Sequence, residues 1–414
     1  MRLDDEERAM LAGELGAPRR WAIEQQIRVG RFFDAQDMVR VSQVHLMADT
    51  ESLGASGVEF LEKLAAAPAE HRRVHVPTVT DPRGIDFAAY KRLKVDERFA
   101  GLERRAIAAF SAMGVLMTDT CINYQTIMPP VHGEHLAFGD TGSTIYANSV
   151  MGARSNFEGG PAALAAALTG RAARYGYHLP ERRRGTRHFV LKDRPRDLSD
   201  WGALGGVIGR KLQSYWEVPV IDGVSAAPTS DELKHFGAAL ASFGTVALFH
   251  VPGITPEAPD ARGVFDGAVP KAETIGNADI AAFRDSYDAK GDKLDVVVFS
   301  APQLSLVELQ MLADRLDGKR VHAGTALLAA TSPEIKSAAD RMGLTGRIED
   351  AGAVVLQGVC FYQMYAREIA EANGWKRLMS NSAKLVNIIG GYGYKPVLAS
   401  MDRCIESAVA GRVL

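Results

Sequence analysis

From Asp4 to Ala65 apolar residues recur at helical spacing, most clearly in "EERAMLAGEL" and "AIEQQIRVGRFF", and most of this stretch is predicted helical. "MVRVSQVHLM" instead alternates, the period of a strand, and ends near His45. A second strand is predicted in "RRVHVPTVTD", closed by the Pro/Gly turn "DPRGID". "RRAIAAFSAMGVLMTD" predicts a helix running into a short strand that delivers Cys121. In "GGPAALAAALTGRAA" Pro161 sits near the first helical turn, after Gly159 and Gly160. Small residues on all sides of that helix predict close packing and burial.

Beyond residue 200 the pattern becomes strand–helix alternation. "GTVALFHVPG", "LDVVVFSAPQ" and "GAVVLQGVC" are short β-branched apolar runs, each followed by a loop or helix start. "SLVELQMLADRLDG" and "SPEIKSAADRMGL" are amphipathic helices with serine at the cap. Such alternation predicts α/β architecture, open sheets covered by helices. We divide it into a region over 1–200 carrying the first cysteine and one over 201–414 carrying the second. Cys121, His250, Pro302–Gln303 and Cys360 each fall just beyond the carboxyl end of a predicted strand, the edge where open α/β sheets gather ligands.

Composition narrows the function. A chain of 414 residues exceeds one hydrophobic core. A net charge of −2 gives no field for nucleic acid. The basic string "ERRRGTR" reads as a solvated turn. No apolar run approaches the roughly 18 residues a membrane span needs. The acidic, amphipathic N-terminus does not resemble a secretory signal, so a cytoplasmic location is expected. Three scattered cysteines make no disulfide framework. They are buried apolar residues, a nucleophile or soft metal ligands.

Four stretches concentrate polar chemistry. "CINYQTIMPPVHGEH" places Cys121 near Asn123, Tyr124, His132, Glu134 and His135. It admits a metal site, a thiol nucleophile or a polar loop with an incidental cysteine, and spacing does not separate them. "YANSVMGARSN" offers Asn148, Ser149, Arg154, Ser155 and Asn156, suited to holding a carboxylate or to capping a turn. "FHVPGITPEA" presents His250, Thr255 and Glu257, with Thr255–Pro256 also readable as a helix cap and first turn. "SNSAK" presents Ser380, Asn381, Ser382 and Lys384, as an anion-binding helix start does. "GGYGY" lacks the strand–helix context of a dinucleotide fingerprint.

At these residues the chain resembles the aconitase X family over essentially its whole length. The matching strings run in family order: "MLAGELG", "CINYQTIMPPVHGEHLAF", "YANSVMGARSNFEGGPAALAAALTGR", "FHVPGITPEA", "LSLVEL", "SNSAK" and "CIESAVAGR". The resemblance implies an aconitase-type fold, layered α/β domains around a central cleft, and dehydratase activity. Bacterial members include an enzyme that dehydrates cis-3-hydroxy-L-proline to Δ1-pyrroline-2-carboxylate; archaeal members include a mevalonate 5-phosphate dehydratase. It implies that Cys121 and Cys360 hold iron, while Ala301 in "SAPQ" stands where a middle thiolate would be. A mononuclear or 2Fe–2S centre is therefore expected rather than 4Fe–4S, with Asp140, Glu134 or His135 as a third ligand. Cys404 is expected to be structural. His45, Tyr124 and Lys384 are the implied catalytic side chains. The chain ends where the family's large domain ends, so the expectation is a large subunit without the swivel domain, completed by a small subunit on a separate chain. A subunit that keeps the fold without catalysis is the rival reading.

Overall fold

Thirteen strands sort into four sheets in a computed structural model that describes residues 1–414. In chain order they are β1 (Met38–Arg40), β2 (Val44–Leu46), β3 (Thr78–Thr80), β4 (Ala137–Phe138), β5 (Arg171–Ala173), β6 (Arg187–Leu191), β7 (Pro219–Asp222), β8 (Glu273–Ile275), β9 (Val296–Leu304), β10 (Ala326–Thr331), β11 (Val354–Gln357), β12 (Arg377–Ser380) and β13 (Lys395–Leu398). β1 and β5 form an antiparallel pair. The orders β3-β2-β4 and β7-β6-β8 make two small parallel sheets, and β11-β10-β9-β12-β13 makes the large one.

The large sheet shows why its strands read as continuous apolar runs. Every residue of β9 is buried, because helices cover both faces. Successive side chains alternate between the faces. Val296, Val298 and Ala301 join Leu328, Ala330 and Leu356 in one core; Val297, Phe299 and Leu304 join Leu327, Ala329 and Val355 in another. Capping sets the covering helices. Ser305 and Glu308 form a capping box for Leu306–Leu316, Ser332 caps Pro333–Arg341, and Ser400 caps Met401–Ala410. No helix is long and apolar enough to cross a membrane.

The small-residue helix Gly160–Thr169 is buried from Ala163 to Thr169, as its composition predicts. Helices Leu198–Gly209 and Ser230–Gly244 approach closely enough to require glycine. A Cβ on Gly205 would lie 2.4 Å from the Phe236 carbonyl oxygen and 2.9 Å from the Leu240 nitrogen. Helix propensity alone makes Gly205→Ala stabilising by about 1 kcal/mol. The backbone clash outweighs it, and the expected result is a net loss of about 2 kcal/mol or more. A denaturant midpoint unchanged or raised would refute this packing.

Several expected elements change. "MVRVSQVHLM" divides into β1 and β2, which belong to different sheets. "GTVALFHVPG" is no strand: after Thr245 (φ +57) the chain makes only an isolated bridge, His250 to Val220. The segment before Cys121 keeps one bridge, Leu116 to Val79. Thr255–Pro256 starts no helix; the Thr255 hydroxyl accepts from the Val251 N–H and closes a turn. Pro302 and Gln303 lie inside β9, which accommodates Ala301 at φ +56 through a register shift against β10. "ERRRGTR" is not all solvated. Arg183 is buried, paired to Glu257 and donating to the Asn148 and Tyr177 carbonyls.

Candidate active site

Cys121 and Cys360 meet. Cys121 follows a loop tied to β3, where the Thr120 N–H donates to the Thr80 carbonyl. Cys360 lies just after β11 and opens a short 3-10 turn, Phe361–Gln363. The Ser300 hydroxyl donates to the Cys360 Sγ at 3.5 Å and accepts from the Phe361 N–H at 3.0 Å. The Gln303 N–H donates to the Cys121 Sγ at 3.4 Å. The two free thiols are close enough to act on each other's charge. Cys360 and burial push Cys121 well up. Burial opposes the Cys360 thiolate, but Cys121, Ser300 and the Lys384 charge outweigh it and hold Cys360 below its ordinary value.

Charged groups ring the sulfurs. Asp140 caps helix Thr141–Ser149, accepting from the Ser143 N–H at 2.8 Å, and its other oxygen accepts from Lys384 Nζ at 3.0 Å. Burial pushes the Asp140 carboxyl up, but Lys384, Ser143 and His45 hold it below the usual range. Lys384 is raised above its ordinary value, since Asp140 and both sulfurs outweigh its desolvation. The His45 ring bonds the Thr120 carbonyl oxygen at 2.7 Å through Nε2, which therefore carries the hydrogen, and Nδ1 is a buried atom without a partner. Asp81, at the end of β3, is 3.6 Å from His45; burial and the Asp140 charge push its carboxyl well up. Gln363 donates to both Asp81, at 2.8 Å, and Asp49, at 3.3 Å. Tyr124 stacks on Tyr146 with centroids 4.0 Å apart. A cavity of about 440 Å³ adjoins this loop, lined by Ile122, Tyr124, Tyr146, Ser230, Asp231 and Ser305 among others.

Of the residues singled out in the sequence, Cys121, Cys360, Asp140, His45, Lys384 and Tyr124 therefore lie in one buried cluster. Ser382 joins them by donating to the Ala301 carbonyl at 2.5 Å; Ser380 accepts from the Ser382 N–H, and Asn381 is buried beside it. The remaining candidates are placed elsewhere. Glu134 accepts from Gln43 and the Val131 N–H, and His135 bonds His178 Nδ1 to Nδ1 at 2.9 Å. Neither is brought to the thiols, because the chain turns away at Pro129–Pro130 before returning at β4. Asn148 bridges the Ser155 and Ala247 backbones, Ser149 accepts from the Phe249 N–H, Ser155 accepts from the Phe138 N–H, and Asn156 spans Tyr175 and Tyr177. These four satisfy buried backbone groups. Arg154 faces the His135–His178 pair, whose ring pKa values its charge helps to lower, and its Nε has no partner. Cys404 lies in the core under β9.

Asp81 and Gln363 went unread, and Gln303 was placed only at the ligand edge of its strand. Asp81 sits in "TDPRG", whose local pattern spells only a turn. The donor set suits a soft metal. Two buried thiols face each other beside buried carboxylates, with the Asp81 Oδ1 unpartnered. It is a two-sulfur grip: Ala301 contributes only a methyl, and no three Cys, His, Asp or Glu side chains are arranged to enclose an ion.

Comparison with known proteins agrees with this architecture. The family models Aconitase X first, second and third domain match residues 1–181, 185–285 and 294–410. The chain is 35% identical to the phosphomevalonate dehydratase large subunit of Methanothermobacter thermautotrophicus, over 94% of each chain. It is 31% identical to cis-3-hydroxy-L-proline dehydratase of Pseudomonas aeruginosa, covering 99% of this chain and 70% of that one. The crystal structure of Thermococcus kodakaraensis aconitase X in its holo-form superposes with a TM-score of 0.87 at 29% identity, over 99% of this chain and all of the other. With all three domain models matched in order and the whole fold shared, the chain belongs to the aconitase X family.

Proposed function

We propose that the chain is the large subunit of a cytoplasmic dehydratase that removes water from cis-3-hydroxy-L-proline. Dehydratase activity is supported by the names of its relatives, and a subunit partner by those named large subunits. The substrate choice rests on the charge balance of the pocket. The ammonium of Lys384 is matched by one carboxylate, Asp140, while burial favours the neutral acid at Asp81, so the cluster carries no surplus of either sign. That balance suits a zwitterion, whose carboxylate meets Lys384 and whose cationic ring nitrogen meets a carboxylate. A phosphate dianion calls for more cations than this.

Cys121 and Cys360 are the residues that would hold an iron-containing group, with Asp140 the nearest carboxylate. Two thiols suit mononuclear iron or a 2Fe–2S centre better than a cluster that needs three. What such a group supplies is Lewis acidity toward a leaving hydroxyl. In the elimination the C2–H bond breaks, its proton passes to a base, and the C3 oxygen leaves as water. The enamine so formed tautomerises to Δ1-pyrroline-2-carboxylate. Lys384, helped by Ser380, Asn381 and Ser382, holds the carboxylate so that the two breaking bonds align. His45, its Nε2–H held by the Thr120 carbonyl, gives a proton to the departing hydroxyl from Nδ1 only after Nδ1 has first taken one up. Burial keeps the Tyr124 phenol neutral and a donor. The base comes from a swivel-domain small subunit on a second chain.

Mevalonate 5-phosphate is the second reading, favoured by the names of the archaeal relatives. Co-expression with a small-subunit gene, followed by assay of both compounds, decides between them. Turnover of cis-3-hydroxy-L-proline is expected. Turnover of the phosphate alone, at full iron loading, would replace the first reading with the second.

A further inference from the structure

We propose that Gln303 is the positioning residue that sets the two thiols against each other. The inference rests on the reading of Cys121 and Cys360 as paired donors. Gln303 is fully buried in β9. Its amide nitrogen donates to three backbone carbonyls: Asp119 at 3.1 Å, Val359 at 3.2 Å and Thr331 at 3.3 Å. Its amide oxygen accepts from the Cys121 N–H at 3.3 Å. Its own N–H donates to the Cys121 Sγ. Asp119 and Cys121 belong to the first thiol loop, Val359 immediately precedes the second thiol, and Thr331 ends β10. One side chain therefore binds both thiol loops and the strand end between them.

Only a carboxamide offers a donor and an acceptor in this shape. Glutamate keeps the acceptor and loses the donors to three buried carbonyls; methionine keeps the volume and loses both. Either change loosens the seating of the loops on each other; Arg83, whose N–H donates to the Gly358 carbonyl and whose guanidinium pairs with Asp119, still links them and keeps the variants folded. The backbone N–H to Sγ adds a second effect, favouring negative charge on Cys121 when a metal is bound.

The test uses the full chain stripped of metal, titrated with Cd²⁺, whose ultraviolet thiolate absorption scales with the number of Cd–S bonds. Wild type is expected to give two such bonds, and Cys360→Ala, carrying one thiol, calibrates the single-bond signal. Gln303→Glu and Gln303→Met are expected to fall to the single-bond level, or to need at least tenfold more Cd²⁺, while keeping cooperative melting. A folded variant with wild-type absorbance and affinity overturns the positioning role and leaves the thiol pair intact. Wild type without a two-thiolate signal overturns the pair itself. Should neither variant fold, native-state alkylation of wild type in subdenaturing urea decides. Cys121 and Cys360 are expected to share one protection factor, below that of Cys404; a difference above tenfold between them overturns the proposal.

Discussion

Cys360→Ala should leave the purified holoenzyme without iron and without measurable dehydratase turnover. The Cys360 sulfur is buried and accepts from Ser300, and no third thiol replaces it because position 301 is alanine. Losing a Lewis acid removes several kcal/mol of transition-state stabilisation, on the order of 10³-fold in rate or more. Iron per chain, measured by metal analysis, should fall with activity, and Cys121→Ala should behave alike. Cys404→Ala is the control. Its sulfur touches only the core and the Ala399 carbonyl, so iron content should hold while stability falls by roughly 1 kcal/mol. Iron lost from Cys404→Ala but retained in Cys360→Ala would overturn the ligand assignment.

Lys384→Met should be the most destabilising conservative-volume change in the pocket. Lys384 and Asp140 are paired at 3.0 Å with side-chain exposures of 5% and 4%. Removing the ammonium strands a buried carboxylate, which costs about 3–5 kcal/mol. Adding Asp140→Asn should recover most of that loss, because the neutral amide still accepts the Ser143 N–H; the pair then shows strong coupling in a double-mutant cycle. The pH dependence carries a sign. In wild type Asp140 titrates below its unfolded value of about 3.9, so its stabilising contribution is complete above that pH and is lost as pH falls through the folded value. In Lys384→Met burial dominates and raises the folded value, so the penalty is full at neutral pH and shrinks on acidification. Urea titrations at pH 7 and pH 4 measure both. An equal penalty at the two pH values would show that Asp140 is not the group left unpaired.

Capping residues and apolar period made the helices after β9, β10 and β13 legible, since Ser305, Ser332 and Ser400 act within their own turns. Cys121 and Lys384 lie in strings uncommon enough to mark a family, and that resemblance, not any local pattern, singled out Cys360 and Asp140. What escaped reading has partners far away along the chain. Gln303 reaches Asp119 and Cys121 across more than 180 residues, and nothing in "SAPQ" records that the amide will meet three carbonyls. The opposite error has the same origin. Asn148, Ser149, Ser155 and Asn156 look like a ligand loop because buried backbone gaps and bound carboxylates ask for the same donors and acceptors.

The distance along the chain between the two thiols also sets a timetable. Cys121 leaves the ribosome more than half a chain before Cys360, a delay of roughly ten to fifty seconds at about 5–20 residues per second. During that interval a nascent chain carries one sulfur of the pair and no β9, β11 or Gln303 to shape a site. If the two cysteines hold a metal, their site is complete only after most of the chain has been made, and a chain released early by truncation lacks it.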